Sequence, residues 1–532
     1  MLASDRGTQP VLLPTDARDL LPADHMAWEI LAIVDELDLH QFHAAYRADG
    51  RGRPPYHPAT MVALILYCAT KNIRGSRRVE AACVDDLGCR VITGNTRPDH
   101  STISRFLNDH GTALRHLLPQ SLRLCDDAGL IDVSLIAGDG TKVQANAAMD
   151  NTVDADTLHR QITNLQQQIT NLEAQWRAAI PEPTDTPPLF HLDLPAPAPA
   201  PAPAPAAPDA PAAFTPEQAC RKITTLTRTL HAREAALTHL ANRPTSDRAD
   251  WEAKLARDTA RVARCRQHLD TIHAQFQAAY QRRQHAEASG AKIPGTRPVP
   301  PGQHSHVRQA TKALVTATTR AATTAANPPT TGKVNTTDPS SRIMPAKHGG
   351  YDQLYNLQAA ATAGQIIIGV TPHDSPNDKQ ALTGLLTATR ANLDTVAITR
   401  PIGVALFDSG YASSDNFTAD LPVALLLVAV EKEARQSGRL NDEQSTASNA
   451  WQDMTTRLSD PVNHTLYKRR GAIIEPIFAQ LFNHFGHNLH LRGTDHVETE
   501  LHIWATSHNL AKLIRHRRTT RDQRARPTRP PG

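Results

Sequence analysis

Two short apolar runs, far apart in the chain, each end in an aspartate with glycine close behind it, and they restrict the possible fold more than any other feature. The first is Val133-Ser-Leu-Ile-Ala-Gly-Asp139-Gly140 and the second Ile402-Gly-Val-Ala-Leu-Phe-Asp408-Ser-Gly410. A run of this length and composition predicts a buried strand that delivers a carboxylate at its edge. The small residues beside each acid let backbone or substrate approach it closely. Between the two runs the pattern changes to heptads. Leu158, Ile162, Leu165, Ile169, Leu172 and Trp176 step alternately by four and three; Ile223, Leu226, Leu230, Leu237 and Leu240 form a second set; Leu255, Val262, Cys265, Leu269, Ile272 and Phe276 form a third. These read as coiled-coil seams. An alternating Pro-Ala tract near 194–213 cannot be helical and reads as a semi-rigid spacer between the first two sets. A sheet that uses both acid-ended strands is therefore split by a helical coiled-coil insertion over 150–290. Residues 291–335, rich in Pro, Thr, Gly and Ala, read as a flexible linker after it.

The flanks complete the layout. Residues 20–130 alternate apolar and polar positions at helical spacing and predict an all-α domain. Pro58 starts one helix, carrying Met61, Leu64, Ile65 and Cys68. In Asn95-Thr-Arg-Pro-Asp-His-Ser-Thr-Ile-Ser-Arg-Phe106, Pro98 and Asp99 punctuate, and Ser101 or Thr102 is the expected cap of a helix bearing Ile103, Phe106 and Leu107. A helix, a tight turn and a capped second helix with Ser104 and Arg105 outward is the pattern of a helix-turn-helix DNA reader, and equally that of a plain packing unit. Residues 131–149 and 336–515 alternate strands and helices and predict an α/β layered domain. Its expected elements include strands over 355–361 and 365–370, a helix over 378–393, and helices over 470–485 and 497–515. Residues 1–19 and the basic tail 516–532 read as disordered ends.

Composition excludes several classes. The six cysteines (Cys68, Cys83, Cys89, Cys125, Cys220 and Cys265) form no CxxC pair, which argues against a zinc ribbon and a disulfide framework and fits a reducing compartment. No apolar stretch is long enough to cross a bilayer, and residues 1–20 contain charges where a signal peptide has its apolar segment, so a bacterial cytoplasmic, nucleoid-associated protein is expected. Neither a P-loop, nor a GxGxxG before a helix, nor a GxSxG elbow occurs. His304 and His306 have no Cys or acid at ligand spacing and read as surface residues. Net charge is only +4, but residues 515–529 hold seven arginines against one acid, Asp522, which suits contact with DNA phosphates.

If the two acid-ended strands are neighbours, Asp139 and Asp408 project at one edge, and two such anions repel unless a cation lies between them. Oxygen ligands without a nearby His or Cys favour Mg2+ or Mn2+ over zinc. A third carboxylate would complete a two-metal clamp for in-line phosphoryl displacement. Glu431 and Glu433 follow the last strand directly. Glu475 sits instead in Tyr467-Lys-Arg-Arg-Gly-Ala-Ile-Ile-Glu475-Pro-Ile-Phe478, where Tyr467 and Arg470 could hold a phosphate beside the acid.

At these blocks the chain resembles the DDE transposases of bacterial insertion sequences, in the branch with an InsH-like N-terminal domain. Gly52-Arg-Pro-Pro-Tyr-His-Pro58, Arg77-Arg-Val-Glu80 and Pro98-Asp-His-Ser-Thr-Ile-Ser-Arg-Phe106 are similar to the family's N-terminal signature. Asp139-Gly-Thr-Lys-Val-Gln-Ala-Asn-Ala147, Asp408-Ser-Gly-Tyr411, and Tyr467-Lys-Arg-Arg470 with Glu475 are similar to the blocks that hold its three acids. Leu491-Arg-Gly493 through Lys512 is similar to its closing helix. The resemblance implies an RNase H-like mixed sheet with flanking helices, Asp139, Asp408 and Glu475 as catalytic metal ligands for Mg2+ or Mn2+, and double-stranded DNA as partner, with a homodimer acting on the ends. It implies cleavage at terminal inverted repeats and strand transfer. Arg97, Ser101, Ser104, Arg105, Lys142, Tyr467 and Arg470 are the expected DNA contacts. One departure is Phe482, seven residues beyond Glu475, where the family commonly has Lys; Lys512 or His484 is the expected substitute cation. The rival readings are a catalytically inactive or domesticated DNA-binding derivative and a nuclease on the same fold.

Overall fold

The computed structural model of the chain describes residues 21–44, 55–179, 215–242, 246–290, 299–326, 332–347, 349–430 and 449–525. The expected disordered segment 1–19, the Pro-Ala tract, Glu431, Glu433 and residues 526–532 lie outside them. By contacts the chain divides into two compact units, Met1–Asn151 with Thr337–Gly532, and Thr152–Thr336. In chain order the strands are β1 (Leu135–Gln144), β2 (Thr152–Val153), β3 (Val334–Asn335), β4 (Arg342–Pro345), β5 (Tyr351–Thr362), β6 (Ile367–His373), β7 (Ile402–Phe407) and β8 (Val423–Val428).

The first unit joins a helical N-terminal region to a mixed sheet. Its central N-terminal helix, Pro58–Thr70, has Pro at its first turn and an unbroken run of nine buried residues from Met61 through Ala69, as an almost wholly apolar helix must. Around it lie helices that include Met26–Asp35, Ser76–Asp85, His100–Asp109 and Leu117–Asp127. The His100–Asp109 helix is capped by Asp99, whose side chain accepts from the Thr102 N–H at 2.7 Å, and not by Ser101 or Thr102. A carboxylate at this position also complements the helix dipole.

The sheet runs in the order β4-β5-β1-β7-β8, with β6 paired to β5. β1 is antiparallel to β5 and parallel to β7, and β7 is parallel to β8. From Gln353 to Thr362 every residue of β5 is buried, so both sheet faces are covered. The β5–β6 hairpin turns at Ala363-Gly364, with Gln365 in the left-handed region at φ 60°. Leu382–Thr395 packs on β6 and Arg470–Phe485 on β1.

The helix Thr494–Ala525 binds the N-terminal helices to the sheet. Asn509 reaches β6 with both ends of its amide, accepting from the Ile367 N–H and donating to the Ile367 carbonyl, each at 2.9 Å. The helix passes the expected boundary at 515. Arg517 pairs with Glu36 at 2.7 Å, and Arg518 and Arg521 share Glu29 at 3.4 and 3.1 Å. Part of the expected disordered tail is therefore ordered helix, because acids on the N-terminal region neutralise its arginines.

In the second unit, Ala155–Ala179 and Pro216–Ala241 form an antiparallel pair, with Leu158 of the first packed on Ala236, Leu237 and Leu240 of the second. Ser246–Ala288 pairs with Ser305–Ala326. That last helix occupies much of the segment read as a flexible linker. Its Ala and Thr residues make a narrow helix that buries Val307, Ala310 and Ala317 and adds polar contacts that composition does not show. Arg320 pairs with Asp258 at 2.9 Å, Thr324 donates to the same carboxylate, and the Trp251 indole N–H donates to the Thr324 carbonyl. His304, half-buried, stacks on Phe276 with centroids 3.6 Å apart, and His306, exposed as expected, meets His304 edge-on.

Candidate active site

Asp139 and Asp408 come together through strand register. β1 and β7 are paired with Ala137 opposite Leu406, so two steps further along each strand bring Asp139 alongside Asp408 on the same face. A side chain at Gly138 would meet the Phe407 ring, and one at Gly140 would strike the Gln358 amide and the Asp378 carboxylate, which explains the glycines on both sides of Asp139. Asp139 Oδ1 accepts from the Gly140 N–H, and Asp408 Oδ1 from the Gly410 N–H, each at 2.8 Å. Burial and the neighbouring Asp408 charge push the Asp139 carboxyl up to about 6, against the pull of Arg470.

Arg470, on the helix that covers this face of β1, places Nη1 3.1 Å from Asp139 Oδ2 and Nη2 3.9 Å from Glu475 Oε1. Tyr467 donates to the Phe407 carbonyl at 3.1 Å, directly before Asp408. Both expected phosphate-holding residues thus lie at the acids. Glu475 is 69 % exposed and reaches Asp139 only through Arg470. Among the described residues no group of three His, Cys, Asp or Glu side chains is gathered closely enough to hold a metal ion. The Asp139–Asp408 pair by itself fits a divalent cation, since two adjacent carboxylates offer hard oxygen donors and one of them is already resisting ionisation.

Glu475 is followed by Pro476, which lacks the N–H that would bond the Ala472 carbonyl and so opens the helix at the acid. The Gln365 side chain, from the β5–β6 turn, donates to that carbonyl at 3.3 Å. Lys512 is spent on the same turn, donating to the Gly364 carbonyl and Gln365 Oε1, and His484 is bound to the Ala69 carbonyl at 2.7 Å. Phe482 stacks on His487. Neither expected substitute cation faces the acids, and Arg470 is the cation there.

Lys142 is not with the acids. Its side chain lies on the opposite face of β1, where Nζ donates to the Pro376 carbonyl at 2.9 Å. That face holds a group that sequence reading passed over. Asn356 and Gln358 both donate to Asp378 Oδ1, at 2.7 and 2.8 Å, and Tyr411 donates to Gln358 Oε1. The signal was available: Asn356 and Gln358 are two apart on an otherwise apolar strand, and buried amides need partners. In the N-terminal region Ser101, Ser104 and Arg105 share one exposed helix face, whereas Arg97 is paired with Glu80 at 3.2 Å.

A family model described as a transposase domain (DUF772) matches residues 15–109, and one described as a transposase DDE domain matches residues 322–510. Together they cover more than half of the chain, and the second includes Asp408 and Glu475 but not Asp139. No curated protein and no solved structure matches the chain. No helix among the described residues is long and apolar enough to cross a membrane.

Proposed function

The chain belongs to the DDE transposases of insertion sequences, and from that premise we propose that it binds the terminal inverted repeats of its element and catalyses DNA cleavage and strand transfer at Asp139, Asp408 and Glu475. The observation that carries this reading is the register of β1 and β7, which sets Asp139 beside Asp408 under Arg470. Three antiparallel strands, β6-β5-β1, continued by two parallel ones, β7 and β8, support an RNase H-like sheet. Asp139 and Asp408, joined by Glu475, would hold Mg2+ or Mn2+, which supplies charge neutralisation and activation of the attacking oxygen.

The chain's own residues do the rest. Arg470 carries the positive charge between Asp139 and Glu475 and is placed to receive a phosphate oxygen bidentately. Transfer of Arg470 from the two carboxylates to the DNA releases Glu475 toward the aspartates. Tyr467, fixed by the Phe407 carbonyl, positions the phosphate from the other side. Cutting two ends together calls for a homodimer on DNA, with the helical pairs of residues 155–326 as a coiled-coil arm.

The test is cleavage of a duplex carrying the element's own end in Mg2+ and in EDTA. Asp139→Ala, Asp408→Ala and Glu475→Ala should each lose nicking by at least about a thousandfold while still binding the end, a loss on the scale of removing a catalytic charge. A second reading, a binder without chemistry, draws on the exposure of Glu475 and on Phe482. Wild type that binds the end and never nicks it establishes that reading instead.

A further inference from the structure

A groove of the N-terminal region lined by several cations lies beside Arg97, not at it. The Ser76–Asp85 and His100–Asp109 helices pack together, and with His490 they border an open groove of about 740 Å³. Its charged lining is Arg74, Arg77, Arg78, His100, Arg105 and His490, with no acid. Arg74 is matched by Glu500 at 3.7 Å and His100 by Glu80 at 2.9 Å. Arg77, Arg78 and Arg105 are exposed and form no ion pair among the described residues.

No acid among the described residues pairs with these three guanidiniums, which sit on two facing helices; a polyanion would. The cations are strung along two helices and do not close around a point, which suits a chain of phosphates better than a single small anion. Ser101, Ser104 and Asn108 project into the same groove at successive turns of the second helix, adding neutral donors beside Arg105. On the other wall the Ser76–Asp85 helix starts from Gly75, at φ 84°, with no side-chain cap, so its first N–H groups point the same way. The positive field is felt locally: after burial, Arg74 and Arg78 hold the His490 imidazole below its usual range.

We propose that this groove seats the phosphate backbone of duplex DNA, with Arg77, Arg78 and Arg105 as its phosphate contacts and Arg97 outside it. The proposal rests on the transposase reading above. It shifts the DNA-facing set from the arginine that Glu80 pairs with to three that form no ion pair among the described residues.

The experiment is a salt titration of binding by the full chain, on a duplex carrying the element's end and on an unrelated duplex of equal length. Each lost phosphate contact lowers the slope of log K against log salt by roughly 0.9, so combining Arg77→Ala, Arg78→Ala and Arg105→Ala should lower it by about 2.7 on both duplexes. Arg97→Ala should leave the slope as in wild type. The corresponding triple Lys variant should also keep the wild-type slope, which separates charge from packing. A triple Ala variant with the wild-type slope, or an Arg97→Ala variant that loses as much as the triple, overturns the groove while leaving the transposase reading standing. Wild type that binds neither duplex overturns both.

Discussion

The two faces of β1 carry the same chemical group in opposite states. On one, Asp139 stands next to a second carboxylate, with a single guanidinium to share and a carboxyl that burial and Asp408 push up to about 6. On the other, Asp378 accepts from two amides, Asn356 and Gln358, and the Tyr411 hydroxyl closes the network behind them. The first acid faces another anion, while one oxygen of the second is held by two neutral amides. The contrast teaches that proximity of acids does not define a site: unmet charge does, because a cation or a phosphate-bound arginine would relieve the first face and only disturb the second.

The largest expected effect puts a number on that unmet charge. Asp139 is raised from an ordinary 3.8 to about 6, so in EDTA its burial is costless at low pH and becomes destabilising as pH rises through that window. Two units correspond to about 3 kcal/mol. Asp139→Asn should therefore match wild type in stability near pH 4 and exceed it by about 3 kcal/mol above pH 6. The difference between the two proteins is the quantity to follow in urea unfolding, because His502 and His508, held at about 4 by burial, add a stability change of opposite sign to both. A difference that does not change with pH would mean that Asp139 is already compensated and that the two faces are alike.

The reverse is expected at Asp378. Asp378→Ala removes the only acceptor of Gln358 Nε2 among the described residues, while the Asn356 amide keeps the Ser375 carbonyl. One stranded buried donor costs about 2 kcal/mol, seen as a lower urea midpoint at unchanged m-value. Asp378→Asn, whose amide oxygen can still accept, should lose less and should retain end cleavage. Cleavage lost in Asp378→Asn as fully as in Asp139→Ala would erase the distinction and make Asp378 a fourth acid of the site.

The sequence carried the parts of this arrangement whose signal is local. Val133–Asp139 and Ile402–Asp408 announced buried strands ending in acids, because a strand's apolar run and its terminal carboxylate are contiguous in the chain. Leu158 to Trp176 announced a helical seam for the same reason. What was illegible depends on partners far away in sequence. The helix Ser305–Ala326 reads as linker because its buried or half-buried stripe, Val307, Ala310, Leu314 and Ala317, is made mostly of small residues among threonines, and its polar partners Asp258 and Trp251 are distant in sequence. The arginines after 515 read as a solvated tail because Glu29 and Glu36 lie at the other end of the chain. Lys142 follows Asp139 closely in the chain, yet the odd spacing between them sends its side chain to the opposite face.

Gln365 shows how much the Asp139 face depends on support from outside it. Pro476 leaves the Ala472 carbonyl without its helical donor one turn before Glu475, and Gln365 supplies one from the hairpin turn. Gln365→Ala removes this bond together with those that its Oε1 accepts from Lys512 and Gln480, and should cost about 1 to 2 kcal/mol because all three are partly exposed. Because the backbone there is left-handed, at φ 60°, Gln365→Gly removes the same bonds but eases the turn, and should recover most of that loss. Stability alone therefore ranks wild type and the Gly variant close together, with Ala below them. If the staple also holds the opened turn that presents Glu475, nicking follows a different order, with both variants reduced alike relative to wild type. Nicking that tracks the stability order would make Gln365 a matter of hairpin strain, and the poised face of β1 would then owe nothing to the turn beyond its edge.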